Sequence, residues 1–300
     1  MIQHIQAERR SCMISIIVNP TAGNGRSKAA CKAVCQRLDE RGLAYELLET
    51  DHPTHATELA RDAAQRGVET VIAIGGDGTV TETAAGLHGT KTALGIIPSG
   101  TGNDFIKTAG IPMDWEAALE LILTKPARPV DTGRVNQHFF INSCGAGFDV
   151  VTLDFAEKAK KYVHGLLPYL YGVLRAIIAY KPNEMHIEMG DGTVMDGKFM
   201  ICSVANGRFF GGGIPIAPLA AVTDGLLDVL VVDAVPRWKL PAYLVPLMRG
   251  KLHECKISHR FLTASCRLQS RHMRLNLDGE ILPMETANFS CEQNQLLLHW

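Results

Sequence analysis

Three hundred residues, 46% of them hydrophobic, are more than a single hydrophobic centre usually needs, so two domains are expected. Thirty Lys and Arg stand against 31 Asp and Glu, which excludes a global field that would draw the chain to nucleic acid or an anionic membrane. The eight cysteines are scattered, none in paired metal-ligand spacing, and read as reduced thiols of a cytoplasmic protein, with Cys31 and Cys35 sharing a helix face.

Residues 1–11 are polar, carry Arg9 and Arg10, and lack the apolar core of a secretory signal; they read as a loose extension, with Met13 as an alternative start. Apolar strand-like runs at 14–18, 45–49, 71–74 and 93–97 then alternate with amphipathic stretches at 28–41, 54–66, 80–87 and 115–123. That alternation predicts a mostly parallel sheet covered by helices. After residue 129 the character changes. Short strands are predicted at 134–142, 185–189, 198–205, 226–232, 274–277 and 296–299, punctuated by Asp191-Gly192 and Asp278-Gly279 turns and interrupted by helical insertions at 155–179 and 237–252. The expected architecture is an α/β domain over residues 13–130 followed by a mainly antiparallel β-sandwich domain over 131–289, with the tail at 290–300 packing back onto the first. The apolar run 162–180 imitates a membrane span but contains Pro168, Gly172 and Arg175, the last alone costing about 2.5–3.5 kcal/mol in a membrane helix.

Gly75, Gly76 and Gly78 follow the strand at 71–74 directly, where absent side chains let backbone N–H groups reach a phosphate. Thr79 and Glu82, three apart, suggest a capping box at the start of the next helix, and Asp77 sits where a carboxylate could act on phosphates through Mg²⁺. A glycine-rich turn of purely structural purpose is the alternative at this point. Neither G-x-x-x-x-G-K-[ST] nor G-x-G-x-x-G occurs, which argues against a P-loop protein and an ordinary dinucleotide dehydrogenase. The strand at 93–97 ends in Pro98-Ser99-Gly100-Thr101-Gly102-Asn103-Asp104 and the first strand in Asn19-Pro20-Thr21-Ala22-Gly23-Asn24-Gly25. Three such strand ends at one edge of a parallel sheet predict a nucleotide crevice there.

These segments, with Asp131-Thr132-Gly133, Asp224-Gly225-Leu226-Leu227-Asp228 and Asp278-Gly279-Glu280, resemble in order and spacing the diacylglycerol kinase catalytic-domain superfamily, in particular its bacterial lipid kinases. The resemblance implies ATP held between the two domains by Asn19, Pro20, Thr21, Ala22, Gly23, Thr50, Gly75, Gly76, Asp77, Gly78, Thr79, Val80, Thr81, Glu82, Ser99, Gly100, Thr101, Asn103 and Asp104. It implies Asp278, beside Glu280, as the acceptor of the lipid hydroxyl proton, Asp77 as organiser of the metal, and Asp104 and Asp131 as further acids of that network. A structural Mg²⁺ is implied at Asp224 and the carbonyls of Ala221 and Leu226. The Asp278-Gly279 pair also reads as a plain hairpin turn, and the two readings are compatible. The implied reaction is transfer of the γ-phosphate of ATP to a lipid hydroxyl, diacylglycerol first among acceptors. The alternatives are an NAD kinase, because Gly75–Thr79 fits that family too, and a catalytically silent lipid- or nucleotide-binding protein. A homodimer is implied only by family habit.

A basic end beside an apolar face in the insertion at 155–179 (Lys158, Lys160 and Lys161 with Tyr162, Leu166, Leu167, Leu170, Leu174 and Ile177) suits transient, peripheral contact with a membrane surface that presents the lipid substrate. Arg237-Trp238-Lys239-Leu240 and Arg249-Gly250-Lys251 flank a second apolar stretch of the same kind.

Overall fold

The computed structural model describes residues 14–160 and 167–300, leaving the reading of residues 1–11, Met13 as a start, and residues 161–166 of the helical insertion outside the described part. The described chain divides into two compact units, one running to Val130 and including Asn294–Trp300, the other Asp131–Gln293.

The first unit alternates β1 (Ile14–Val18), α1 (Arg26–Glu40), β2 (Tyr45–Glu49), α2 (His55–Gln65), β3 (Thr70–Gly75), α3 (Asp77–Leu87) and β4 (Ala93–Pro98), followed by α4 (Asp104–Ala109) and α5 (Trp115–Thr124). Its first four strands pair in parallel, β2 on β1, β1 on β3 and β3 on β4, and Leu297 and Leu298 pair in parallel with Ala93 and Leu94. β1 and β4 are buried along their whole length, and β3 after its first residue, because helices cover both faces of the sheet; that is why they read as unbroken apolar runs. β2 lies at the edge, and Leu47 is exposed. The helix predicted at 80–87 begins three residues earlier. Gly76 is its N-cap, no side chain caps it, and the Glu82 carboxylate instead accepts the Ala56 N–H at 3.3 Å, so the capping box of Thr79 and Glu82 does not form.

The second unit is built from β5 (Arg128–Val135), β6 (His138–Phe140), β7 (Ser143–Gly147), α6 (Phe148–Lys160), α7 (Leu167–Ala179), β8 (Asn183–Met189), β9 (Val194–Ala205), β10 (Leu227–Asp233), α8 (Pro241–Met248), β11 (Ser258–Thr263), β12 (Ser265–Gln269), β13 (Arg274–Leu277), β14 (Glu280–Pro283) and β15 (Thr286–Leu298). The predicted strand at 134–142 is two strands: Asn136 takes φ +52° and turns β5 back as the hairpin β5–β6. The order β14-β13-β7-β9-β8-β12-β15 continues through β10 on β9, β11 on β10 and β5 on β15. All the pairs that place β7–β14 in it are antiparallel.

Period-two alternation sets the layers of this unit. Cys202, Val204, Val229 and Val231 face the sandwich core with Phe140, Ile187, Leu268 and Phe289. Their neighbours Ile201, Ala205, Leu230 and Val232 face the other way, onto a second cluster with Phe148 and Ala176 of the helical insertion and Leu247 of α8. β9 and β10 are thus covered on both faces. Among the described residues no helix is long and apolar enough to cross a membrane. Seven described cysteines are free; Cys31 Sγ and Cys35 Sγ lie 4.0 Å apart on α1, and burial with that neighbour pushes the Cys31 thiol up to about 12.

Candidate functional site

In the first unit the three predicted loops meet at the carboxyl ends of β1, β3 and β4. β3 and β4 continue side by side past their ends, with Ser99 N–H and Gly100 N–H donating to Gly75 O at 3.0 and 3.2 Å. Gly76 and Gly100 make that approach possible: a Cβ on Gly100 would lie 2.4 Å from Gly76 Cα. The loop after β1 joins them through a buried 2.7 Å hydroxyl pair between Ser27 and Ser99. Within it Asn19 Oδ1 accepts from Thr21 N–H and Oγ1–H at 3.1 and 2.9 Å. Thr50, at the end of β2, donates its N–H to Val18 O at 2.9 Å and so borders the same loop.

Sequence reasoning missed Arg26, the first residue of α1. Its guanidinium donates to Gly23 O at 3.0 Å, Gly100 O at 3.1 Å and Thr101 Oγ1 at 3.2 Å, tying the first loop to the third and bringing a cation to the cluster. A basic residue opening the helix that follows a glycine loop was the available signal. Asp77, the first residue of α3, has its two oxygens on the N–H groups of Asn103 and Asp104, both at 2.7 Å. The carboxylate therefore braces the third loop and keeps acceptor capacity beyond these two bonds. Lys107 Nζ lies 3.8 Å from Asp104 Oδ1.

The exposed Gly78 differs from its neighbours, since a Cβ placed there would meet nothing within 4 Å. Packing inside the unit does not require glycine at 78; a ligand lying against the backbone would. Other residues of the expected nucleotide set point elsewhere. Val80 is in the core, Thr79 packs over Gly75, and Glu82 is tied to α2 through Ala56 N–H and through Thr57 Oγ1–H, which donates to Glu82 O at 2.9 Å. Pro20, Ala22 and Thr81 are half-buried, and Thr101 is exposed beside Arg26.

In the second unit Asp278 (φ +46°) and Gly279 (φ +100°) form the two-residue turn of the β13–β14 hairpin, with Glu280 exposed at its exit. The Asp278 carboxylate accepts Ile141 N–H at 2.8 Å, Ser143 N–H at 2.7 Å and a shared Asn142 N–H at 3.2 Å. The left-handed turn thus places the Asp278 carboxylate on the backbone donors of residues 141–143. Asn276, two residues earlier, accepts Gly279 N–H at 3.0 Å on Oδ1 and hydrogen-bonds Asp149. Asp149, near the start of α6, is wholly buried beside Ser143, Gly145, Ser203 and Asn276, and burial pushes its carboxyl up to about 6. Sequence reasoning missed it too; an acid following Gly145-Ala146-Gly147-Phe148 was the only hint.

The Asp224 loop wraps Asp131. Asp131 N–H donates to Val222 O at 2.7 Å and its Oδ2 accepts Gly225 N–H at 2.7 Å, while exposed Asp224 accepts Leu226 N–H at 3.0 Å. Ala221 and Leu226, half-buried, flank it, so the expected metal set brings one carboxylate.

A parallel sheet whose strand ends carry a glycine-rich loop cluster, followed by an antiparallel β-sandwich bearing an anchored carboxylate, suits the class of nucleotide-dependent phosphotransferases. Residues 13–135 match the diacylglycerol kinase catalytic domain, and residues 142–299 the YegS C-terminal NAD kinase beta sandwich-like domain. A diacylglycerol kinase of Bacillus subtilis (strain 168) is 33% identical over 91% of this chain and 92% of its own length. A protein of Yersinia enterocolitica named "Probable lipid kinase YegS-like" is 32% identical over 92% of each. A solved structure from Bacillus anthracis str. Sterne superposes with TM-score 0.80 at 26% identity, covering 96% of both chains. The chain belongs to the diacylglycerol kinase-like family of bacterial lipid kinases, ATP-dependent phosphotransferases with an alcohol as acceptor. Its likeness to NAD kinase is one of fold, in the second unit.

Proposed function

We propose that the chain phosphorylates the free hydroxyl of diacylglycerol, giving phosphatidic acid, with Mg²⁺ as the metal. The observation that carries the nucleotide half is the loop cluster around Gly78, an open backbone surface bordered by Arg26 that suits a polyphosphate. Asp278 supports the acceptor half, and the relative from Bacillus subtilis supports diacylglycerol as its substrate. In this reading Asp278 takes the hydroxyl proton as the lipid oxygen bonds to the γ-phosphorus and the bond to the ADP oxygen breaks. The donors present fit Mg²⁺ in each unit by itself: Asp77 and Asp104 in the first, and, for a structural ion, Asp224 with the carbonyls of Ala221 and Leu226 in the second, are hard oxygens of the kind it prefers. Bound Mg²⁺ would offset the charge of the phosphates.

We further propose that the second unit meets the lipid at a membrane surface. α7 exposes Tyr171, Leu174 and Ile178, and the turn before α8 exposes Trp238, which is 77% accessible. Arg237 Nε donates to Tyr180 O at 3.1 Å, which brings that turn to the end of α7. Val245 and Met248 extend the apolar surface, and Lys181, Lys239, Arg249 and Lys251 surround it as exposed cations. An apolar surface rimmed by cations suits shallow insertion among anionic headgroups.

A mass-spectrometric comparison of a total lipid extract before and after incubation with the protein, Mg²⁺ and ATP tests the substrate. Phosphatidic acid should rise at the expense of diacylglycerol; a different phosphorylated lipid would displace the proposed acceptor.

A further inference from the structure

We propose that Asp51, His52 and His55 form a binding site for a divalent transition-metal ion of the zinc class, separate from the Mg²⁺ of the kinase reaction. Asp51 and His52 lie in the turn between β2 and α2, and His55 is the first residue of α2. Pro53 fixes its own φ, and Thr54 takes φ +69°, a conformation that a β-branched residue rarely adopts. That turn stacks the two imidazoles, with ring centroids 4.4 Å apart and planes 13° apart. Both Nδ1 atoms converge on one oxygen, Asp51 Oδ1, His55 at 2.7 Å and His52 in closer contact.

His55 Nδ1 also receives the Asp51 N–H at 3.2 Å, so this ring nitrogen is held by both the backbone and the carboxylate of Asp51. A metal ion bound by these groups would take the place of any proton the ring nitrogens share with that oxygen. On the far side of the His52 ring, Nε2 lies 3.9 Å from Glu58 Oε2. A carboxylate behind a ligating imidazole is the usual outer-shell partner. Two neutral imidazoles and a carboxylate carry one negative charge and suit zinc, nickel or copper rather than Mg²⁺, which takes oxygen ligands. Three protein ligands leave a fourth position open to water or an anion. The site is accessible: the Asp51 side chain is 75% exposed, which leaves it free to turn onto an ion. His55 opens α2, and the next two residues, Ala56 and Thr57, hold that helix to α3 through Glu82.

The test is zinc titration of the full chain by calorimetry, with Co²⁺ absorption as a second readout and thermal melting of each apo variant as the check on folding. One equivalent should bind. His52→Ala and His55→Ala should each weaken it by more than the roughly 10–100-fold that loss of an outer-shell partner costs, and Asp51→Asn should weaken it as well. Two controls should bind as the wild type does: His186→Ala, which removes another surface imidazole paired with a carboxylate, and Cys35→Ser, which removes a thiol near Cys31. Absence of binding, binding indifferent to His52→Ala and His55→Ala, or binding lost with Cys35→Ser would each overturn the assignment. None of these outcomes depends on whether the chain phosphorylates a lipid.

Discussion

Asp278 shows how much one side chain can be asked to do. An ionised carboxylate has about four acceptor positions, and three backbone N–H groups from residues 141–143 occupy most of them. Asp278→Asn should therefore have two separable effects. Turnover should fall by about 10²–10⁴-fold through loss of the proton acceptor, with ATP binding retained. Stability should fall by about 1–3 kcal/mol, because the amide NH₂ faces a backbone donor. Steady-state kinetics, nucleotide binding and melting distinguish the two; substantial residual turnover would remove Asp278 from the proposed role. Asp149 carries a pH dependence instead. Burial raises its carboxyl from 3.8 to about 6, so the folded chain keeps a proton that the unfolded chain releases between those values. Its contribution to stability is complete below about pH 4 and lost as the pH rises through 6, a difference of about 3 kcal/mol. Asp149→Asn should thus melt above the wild type at pH 7.5, with the gap narrowing towards pH 5; a gap that does not change with pH would refute this. The Asp278-Gly279 turn was legible in the sequence because that dipeptide suits left-handed φ at both positions. Asp149 was not, because its burial depends on α6 starting where β7 ends, and β7 reads Ser-Cys-Gly-Ala-Gly with no strand signal.

At the level of elements, the glycine loops make opposite predictions for two similar changes. Gly100→Ala places a Cβ 2.4 Å from Gly76 Cα and 2.7 Å from Asn103 Oδ1, so the backbone must shift, at a cost of about 1–3 kcal/mol. Gly78→Ala meets no atom within 4 Å and lies in the first turn of α3, where alanine is the better helix former by about 0.5–1 kcal/mol. Melting should drop for the first and hold or rise for the second, while ATP binding, followed by calorimetry, weakens in both. Unchanged ATP affinity in Gly78→Ala would mean that no nucleotide lies against that backbone. In the helical insertion, Gly172 of α7 lets that helix close on α6, where a Cβ would come 2.4 Å from Thr152 O. A glycine that weakens an apolar run in the sequence is here a contact point between helices. The surface these elements leave outside is tested by Trp238→Ala, which should reduce cosedimentation with anionic phospholipid vesicles without lowering the melting temperature. Equal binding by variant and wild type would argue against that surface as the docking site.

At the scale of the molecule, the first unit was the more legible. β1, β3 and β4 are buried along nearly their whole length and announce themselves as apolar runs that lead into glycine-bearing loops, so the meeting of those loops followed from strand order. In the second unit β9 and β10 were visible for the same reason, whereas β11 and β12 mix exposed and buried positions and are placed by pairing with β10, β8 and β15. Of the 13-residue β15 only the end was legible, because Cys291–Gln295 is polar and the strand there passes from the second unit to the first. Arg26 escaped notice because its partners are backbone oxygens of a loop 74 positions away, a contact that no local pattern encodes. The most direct measurement of the central claim is transfer of label from γ-labelled ATP in the presence of Mg²⁺, with diacylglycerol in mixed micelles and NAD offered side by side. Label should move into the organic phase as phosphatidic acid and vanish with Asp278→Asn; label confined to the aqueous phase as phosphorylated NAD would contradict the account.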